Sequence, residues 1–303
     1  MKKFAFLSWA VVAALFFTAC GSSPKGYSVV DGVIVFDAPA RVEGQHSVLR
    51  LTTDPIPVVR VGFIGLGMRG PGAVERFTYL DGVEIKALCD LYPDRVEKSQ
   101  EILAGRNLPA AAAYSGEEGW KELCRRDDID LVYICTPWQL HVPMAVYAME
   151  HGKHVAVEVP AAMSLEECWQ LVDTAEKTQR HCMMLENCVY DFFELTTLNM
   201  AQHGLFGEII HTEGSYIHDL DPFWEHYQGN WRLDFNQSHR GDVYATHGLG
   251  PACQLLDIHR GDRMTRLVSM DTESINGLKT AKEKMGAETF ANGDQTLTLI
   301  KTE

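Results

Sequence analysis

A glycine-rich turn between an apolar segment and a helical one is the first feature that could do chemistry. Gly65, Gly67 and Gly70 are spaced as G-x-G-x-x-G, and an acid, Asp90, ends the next apolar segment. The first glycine permits a tight turn, the second lets backbone approach a pyrophosphate, and the third lets helix and strand pack closely. Free N–H groups at the start of the following helix attract phosphate. The pattern predicts a dinucleotide site. The alternative is a structural turn with a solvent-exposed Asp90.

Asp90 also predicts which dinucleotide binds. A carboxylate at this strand end accepts hydrogen bonds from the adenosine ribose hydroxyls and repels a 2′-phosphate. The sequence therefore favours NAD over NADP.

A second titratable group lies far along the chain. Tyr244 and His247 stand three residues apart, ahead of the apolar Leu255 and Leu256. Histidine, with an ordinary pKa of about 6.5, suits general acid–base catalysis near neutral pH. The alternative, that Tyr244 is a packing aromatic and His247 a core histidine, stays open at this point.

Two further motifs follow apolar segments: Thr-Pro-Trp-Gln-Leu-His at Thr136–His141, and Glu-Val-Pro at Glu158–Pro160. The arrangement resembles the Gfo/Idh/MocA group of sugar-transforming NAD proteins, in which a Rossmann half precedes an open-faced sheet domain that holds the sugar. That group usually has Glu-Lys-Pro, and its lysine transfers a proton when a sugar hydroxyl is oxidised. Val159 takes the place of that lysine and cannot transfer a proton, which disfavours a plain sugar dehydrogenase. Alternatively, Val159 is one more buried strand residue and the chemistry lies elsewhere.

Four motifs together are similar to glycoside hydrolase family 109. They are Leu-Gly-Met-Arg-Gly in the glycine-rich turn, Glu-Val-Pro, Gly-Asn-Trp-Arg at Gly229–Arg232, and Tyr-x-Thr-His-Gly-Leu-Gly-Pro from Tyr244 to Pro251. The resemblance extends from about Val58 to Glu303. Family members are exported bacterial α-N-acetylgalactosaminidases that hold NAD permanently.

The resemblance also implies the contact residues. The NAD contacts correspond to Met68, Arg69, Asp90, Trp138, Gln139, Leu140, His141, Glu158, Val159 and Asn187. The sugar contacts correspond to Tyr216, Arg232, Tyr244, Ala245, Thr246 and His247. Family members continue past Glu303 and supply a further substrate tyrosine, so the second domain is expected to be incomplete here.

The chemistry that the resemblance implies combines oxidation with hydrolysis. Hydride transfer to NAD turns the C3 hydroxyl of the sugar into a ketone, and a base then removes the acidic C2 proton. The aglycone leaves C1, water adds to the enone, and the hydride returns with the anomeric configuration retained. This route does not need the paired carboxylates of ordinary glycosidases. Tyr244 and His247 are the predicted acid–base groups, with their individual protons unassigned.

Alternating strand and helix patterns position these residues. Strands are predicted at 58–64, 83–90, 130–135, 154–157 and 182–185, with helices between them at about 70–77, 93–104, 141–151 and 165–177. Such alternation implies parallel βαβ units. The predicted fold class is α/β: a doubly wound Rossmann sheet at 58–186, then an α+β open-faced sheet domain at 187–303. That second domain is predicted to contain a long strand at 208–218 and a final strand at 296–300.

The first residues predict export. Lys2 and Lys3 precede an apolar run, Phe4–Phe17, and the residues up to Cys20 resemble a bacterial lipobox. We therefore expect a lipoprotein signal peptide at 1–19, a tether and leader at 20–57, and attachment to the membrane through an N-terminal lipid only. An ordinary secretory signal with an incidental cysteine is the alternative.

Composition limits the remaining classes. The formal net charge of −14 argues against a nucleic-acid groove. His211, His218, His226 and His239 lack metal-site spacing, so no metal is expected, and the cysteines after Cys20 are expected to be mostly free, buried thiols. The expected partner is a glycan, and a homo-oligomer is possible.

Two other functions and two other residue roles stay open. The chain could be a sugar oxidoreductase that exchanges its NAD with solution, or a non-catalytic protein that holds NAD at the membrane. Arg232 could be a surface salt-bridge partner, and Trp224 and Trp231 could be core residues.

Overall fold

The computed structural model describes residues 27–41 and 43–303. The predicted signal peptide and Cys20 lie outside the described residues. In the first described stretch, β1 (Tyr27–Val30) and β2 (Val33–Phe36) form an antiparallel hairpin, inside the leader for which no element is predicted. Among the helices of the described residues, none is both long enough and apolar enough to cross a membrane.

Six parallel strands form the sheet that carries the glycine-rich turn. They are β3 (Val59–Ile64), β4 (Val83–Asp90), β5 (Ala112–Ser115), β6 (Leu131–Ile134), β7 (His154–Val157) and β8 (Cys182–Met184). Their order is β5-β4-β3-β6-β7-β8, and each neighbouring pair is parallel. The order reverses between β3 and β6, and ligands of such sheets bind beyond the carboxyl ends of the strands at this reversal. The predicted doubly wound sheet is confirmed.

Helices connect these strands and enclose the sheet. They are α1 (Gly70–Phe77), α2 (Pro93–Gly105), α3 (Gly119–Cys124), α4 (His141–Glu150) and α5 (Leu165–Thr178). Two separate clusters of buried apolar side chains pack the sheet. Burial on both faces explains why the strands are near-continuous apolar runs. The short elements β5 and α3 are not predicted from the sequence.

The second half contains more helix than predicted. Its elements are α6 (Phe192–Gln202), α7 (Asp221–Trp224), α8 (Trp231–Ser238), α9 (Ala245–Leu255), β9 (Met264–Asp271), α10 (Asn276–Met285) and β10 (Thr296–Thr302). Strands β9 and β10 pair antiparallel, so the predicted last strand is present and two residues longer at its end. A small core of Trp224, Leu233, Ala281 and Phe290 packs this half.

The predicted strand at 208–218 is wrong. Those residues have no regular structure, and Ile210 is 90% exposed. A strand needs a hydrogen-bonded neighbour, and β9 and β10 are paired with each other. The segment instead passes close to α9, where an added Cβ on Gly214 would overlap the backbone of Gly248. This approach brings Tyr216 against α9.

The expectation of mostly buried thiols is also wrong. All seven cysteines in the described residues are free, but only Cys89 and Cys124 are buried, and Cys168 is exposed. Burial raises the pKa of the Cys89 and Cys124 thiols to about 12. Both thiols are therefore protonated packing groups at neutral pH.

Candidate functional site

The glycine-rich turn forms a cradle that side chains would fill. Gly65 has φ +91°, and its added Cβ would lie 2.7 Å from the carbonyl of Cys135, while a Cβ on Gly70 would overlap the carbonyl oxygen of Gly65. At Gly67 an added Cβ would meet only the guanidinium of Arg95, at 3.3 Å. The backbone at Gly67 is thus open to a ligand at the start of α1, as binding a pyrophosphate requires.

Asp90 holds this turn in shape. Its side chain is 5% exposed, and one oxygen accepts the N–H of Leu66 at 2.6 Å. The other oxygen accepts the N–H of Tyr92 at 3.0 Å and meets Nη1 of Arg95 at 3.4 Å. The alternative of a solvent-exposed Asp90 is wrong. A carboxylate has about four acceptor positions, so one is left for a ribose hydroxyl.

We expect Asp90→Ala to weaken NAD retention by at least about tenfold, because hydrogen bonds to a charged group contribute about 1.5–3 kcal/mol each. The measurement is the NAD-to-protein ratio after desalting. Asp90→Asn, which keeps an acceptor oxygen without the charge, should bind NADP better than the native protein does. Asp94→Asn, on an exposed carboxylate that pairs with Lys98, is the matched control. Equal occupancy of the native protein by NADP and NAD would contradict the role given to Asp90.

The motifs after β6 and β7 shape the floor of the cleft. Trp138 is buried, and the ring of His141 is fully enclosed between the carbonyl oxygens of Thr136 and Pro160, at 2.8 and 2.7 Å. Burial lowers the pKa of His141, partly offset by these carbonyls. Its ring therefore links the loops that follow β6 and β7. Val159 lines the cleft as an apolar side chain that offers no proton.

Tyr244, His247 and Glu186 form the titratable centre. Tyr244 occupies the N-cap position of α9, and one turn later His247 stacks on it, with ring centroids 5.5 Å apart and an interplanar angle of 6°. Nδ1 of His247 lies 2.6 Å from a carboxylate oxygen of Glu186, and both side chains are buried. Tyr216 packs on His247 at 4.4 Å. Tyr244 and His247 thus both lie at the start of α9.

Arg232 stands in a ring of aromatic side chains. Its guanidinium lies 5.1–5.6 Å from the ring centres of Trp138, Tyr227, Trp231 and Tyr244. Desolvation lowers its pKa. Among the described residues no carboxylate lies within ion-pair distance of Arg232, so the salt-bridge alternative is wrong.

Three buried polar atoms near this centre lack a hydrogen-bond partner among the described residues. They are Oγ1 of Thr136, Nε of Arg232 and the hydroxyl of Tyr244. Buried polar groups are nearly always satisfied in folded proteins. Their orphaned state indicates a site shaped for a polar ligand.

One cleft of about 2630 Å³ brings most predicted site residues together. The predicted residues that line it are Gly65, Gly67, Met68, Arg69, Asp90, Trp138, Leu140, His141, Glu158, Val159, Tyr216, Arg232, Tyr244, Ala245 and His247. Gly70, Gln139, Asn187 and Thr246 are not among its lining residues. Glu186, Tyr227 and Trp231 are not predicted as site residues from the sequence; the position of Glu186 just before the predicted Asn187 is its one local signal.

The four histidines considered for a metal do not form a metal-binding group in the described residues. A different set, Glu186, Cys188 and His247, offers ligand atoms that all lie within 4.8 Å of one another. Sequence spacing gives no hint of this group because His247 is 61 residues from Glu186.

Two family matches divide the chain. Residues 59–186 match the oxidoreductase family with an NAD-binding Rossmann fold, and residues 190–303 match the C-terminal domain of glycosyl hydrolase 109. The chain belongs to glycoside hydrolase family 109. NAD is the cofactor of its Rossmann domain, and the cradle at Gly67 fits that cofactor.

Curated members of family 109 are similar over most of this chain. One from Bacteroides fragilis is 67% identical over 268 residues, which is 88% of this chain and 58% of the relative. One from Porphyromonas gingivalis is 61% identical over 301 residues, 98% of this chain and 64% of the relative. The chain thus spans about three fifths of the length of these relatives.

Solved structures share the fold of this family 109 chain. Scyllo-inositol dehydrogenase from Lactobacillus casei, with NAD(H) and scyllo-inositol bound, has a TM-score of 0.60 at 13% identity, covering 81% of this chain and 66% of that one. An NAD-binding protein from Listeria innocua has a TM-score of 0.53 at 22% identity, covering 81% and 64%. At these identities the likeness concerns the fold alone.

Proposed function

We propose that the protein is an NAD-dependent glycosidase that removes terminal α-N-acetylgalactosamine with retention of configuration. The observation that carries the proposal is the buried His247, held at Nδ1 by Glu186 and stacked on Tyr244, in the same cleft as the glycine-rich turn. An acid–base centre beside a dinucleotide site, with Val159 in place of a proton-transferring residue, suits a reaction that needs more than hydride transfer.

Glu186 sets the tautomer of His247. A carboxylate that accepts the Nδ1 proton leaves Nε2 with the basic lone pair. We assign to Nε2 the removal of the C2 proton. The unpartnered hydroxyl of Tyr244 can exchange a proton with a neighbouring sugar oxygen, and its parallel stacking fixes its position relative to the base.

NAD, when bound, supplies a reversible hydride acceptor for C3 of the sugar. With C3 oxidised, the C2 proton is acidic, so His247 can remove it while the C1–oxygen bond breaks and the aglycone oxygen takes a proton. Water then adds its oxygen to C1, a proton returns to C2, and a hydride and a proton restore the C3 hydroxyl. Over the cycle one water is consumed and no net oxidation occurs.

The aromatic side chains that surround Arg232 hold the sugar in this scheme. Trp138, Trp231 and Tyr227 present apolar faces, while Nε of Arg232 and the hydroxyl of Tyr244 are donors without partners in the described residues. A mostly apolar pocket with a few placed polar groups is typical of small-molecule sites. The donors would fix the orientation of sugar oxygens, and the rings would exclude water.

We expect the intact protein to release the aglycone from a chromogenic α-N-acetylgalactosaminide with no added NAD and no accumulation of NADH. The physical reason is that each hydride removed from C3 is returned within the same turnover. Aglycone release and NADH absorbance, recorded together, test this. The matching β-anomer is the control substrate.

A sugar oxidoreductase is the competing function, since solved dehydrogenases share the fold. It predicts NADH formed in step with sugar oxidised and a requirement for added NAD. One NADH per product molecule would overturn the glycosidase proposal.

A further inference from the structure

Two members of the titratable centre, Glu186 and His247, form a second kind of site together with Cys188. Their ligand atoms all lie within 4.8 Å of one another. In a tetrahedral zinc site, bonds of about 2.0–2.3 Å place ligand atoms roughly 3.3–3.6 Å apart. Small side-chain rotations would bring these three groups to that spacing.

The donors are also available and correctly charged. The second carboxylate oxygen of Glu186 is buried and has no hydrogen-bond partner among the described residues. One carboxylate, one thiolate and one neutral imidazole balance the charge of a divalent ion. Thiolate and imidazole are ligands that favour zinc over magnesium or calcium.

The field around Cys188 favours a cation. The carboxylates of Glu186, Asp191 and Glu194 all act on its thiol and give the position a negative potential. A bound divalent ion opposes that field and displaces the thiol proton to water. Cys188 is partly exposed, which gives an ion a route to the buried pair.

We propose that Glu186, Cys188 and His247 bind a zinc-like divalent ion that inhibits the enzyme. The ion occupies a nitrogen of His247 and the carboxylate that orients it, so the base cannot take a proton. A fourth position is left for water. Ion binding stands on these three donors alone, whereas the inhibition rests on the proposed glycosidase function.

Binding is tested with Co²⁺ as the probe, on the intact protein without substrate. We expect one Co²⁺ per chain, with the visible absorption of a tetrahedral ion and a thiolate-to-cobalt charge-transfer band that Zn²⁺ displaces. Cys188→Ser, which keeps the size but removes the soft ligand, should lose the charge-transfer band and bind at least about tenfold more weakly. Cys168→Ser, on an exposed thiol outside this group, should keep both.

Inhibition is tested with Zn²⁺ on hydrolysis of the chromogenic substrate. We expect inhibition that a chelator reverses, and a half-inhibiting Zn²⁺ concentration at least about tenfold higher for Cys188→Ser, each variant being compared with its own zinc-free rate. A native protein that shows no charge-transfer band overturns the metal site, whatever its activity. A band with unaffected hydrolysis retains the site but overturns its inhibitory role. A protein that binds Co²⁺ yet hydrolyses nothing leaves the metal site standing and contradicts only the proposed function.

Discussion

Replacement of His247 by alanine is expected to lower the turnover number for α-N-acetylgalactosaminide hydrolysis by about 10²–10⁴-fold, the usual contribution of a general acid or base. The imidazole lies on the first turn of α9, where a 2.6 Å hydrogen bond to Glu186 holds it in place. Alanine supplies neither a base nor a partner for that carboxylate. The NAD content should stay near that of the native protein, because the glycine-rich turn does not depend on α9.

A structural loss must be separated from a catalytic one. Alanine at 247 leaves a buried carboxylate without its partner, which costs about 1–3 kcal/mol or more of folding free energy. His247→Gln keeps an amide that can donate to Glu186 but carries no base, so it should fold better than the alanine variant and stay as inactive. His226→Ala, which removes an exposed histidine from a short helical turn, is the matched control. Native turnover by both His247 variants would refute the assignment.

Glu186→Gln separates the role of Glu186 in orienting His247 from its role in stabilising the protonated imidazole. The glutamine can still accept the Nδ1 proton of His247, but it lacks the charge that stabilises the imidazole when it takes a proton. We therefore expect a smaller fall in turnover than in the His247 variants, with the KM for substrate nearly unchanged.

The sheet could be predicted because its signals are local. Apolar runs with a glycine-rich turn and an acid at the next strand end specify strand, turn and helix within one short stretch, and β3, β4, β6, β7 and β8 lie where these runs do. Strand β5 is not predicted because it has only four residues, three of them small. Its position depends on its pairing with β4.

The structure of the second half could not be predicted well because it depends on contacts between segments that are distant in sequence. Residues 208–218 have β-branched residues and partial alternation, but a strand forms only where a neighbour supplies hydrogen bonds. Here the segment lies against α9 through Gly214 and Gly248.

The candidate site likewise contains residues that local sequence marks and residues that only the fold brings together. Tyr244 and His247 could be found because a motif marks them three residues apart on one helix. Glu186 could not be paired with His247, since the two meet only when the end of the parallel sheet is folded against α9. Trp231 reads as a core residue in sequence, yet its ring meets Trp138 at 4.7 Å beside Arg232.

Hydrolysis in heavy water is expected to place deuterium at C2 of nearly every released sugar. The reason is that elimination breaks the C2–H bond in each productive turnover, and the proton that returns comes from a base in exchange with solvent. Direct displacement at C1 would instead need two carboxylates about 5–10 Å apart flanking the bond. In the described site Glu186 is committed to His247 and to the backbone N–H of Cys188, so it is not free to attack C1.

The isotopic composition and the anomeric form of the released N-acetylgalactosamine report how the C1–oxygen bond breaks, and mass spectrometry and proton NMR measure both early in the reaction. Hydrolysis in ordinary water of a C2-deuterated substrate is the companion experiment, since it detects loss of the label even where the base exchanges slowly with solvent. The elimination route predicts deuterium gained at C2 in heavy water, deuterium lost from C2 in ordinary water, and an α-configured first product. A product that neither gains nor loses deuterium at C2 in the two experiments would contradict it.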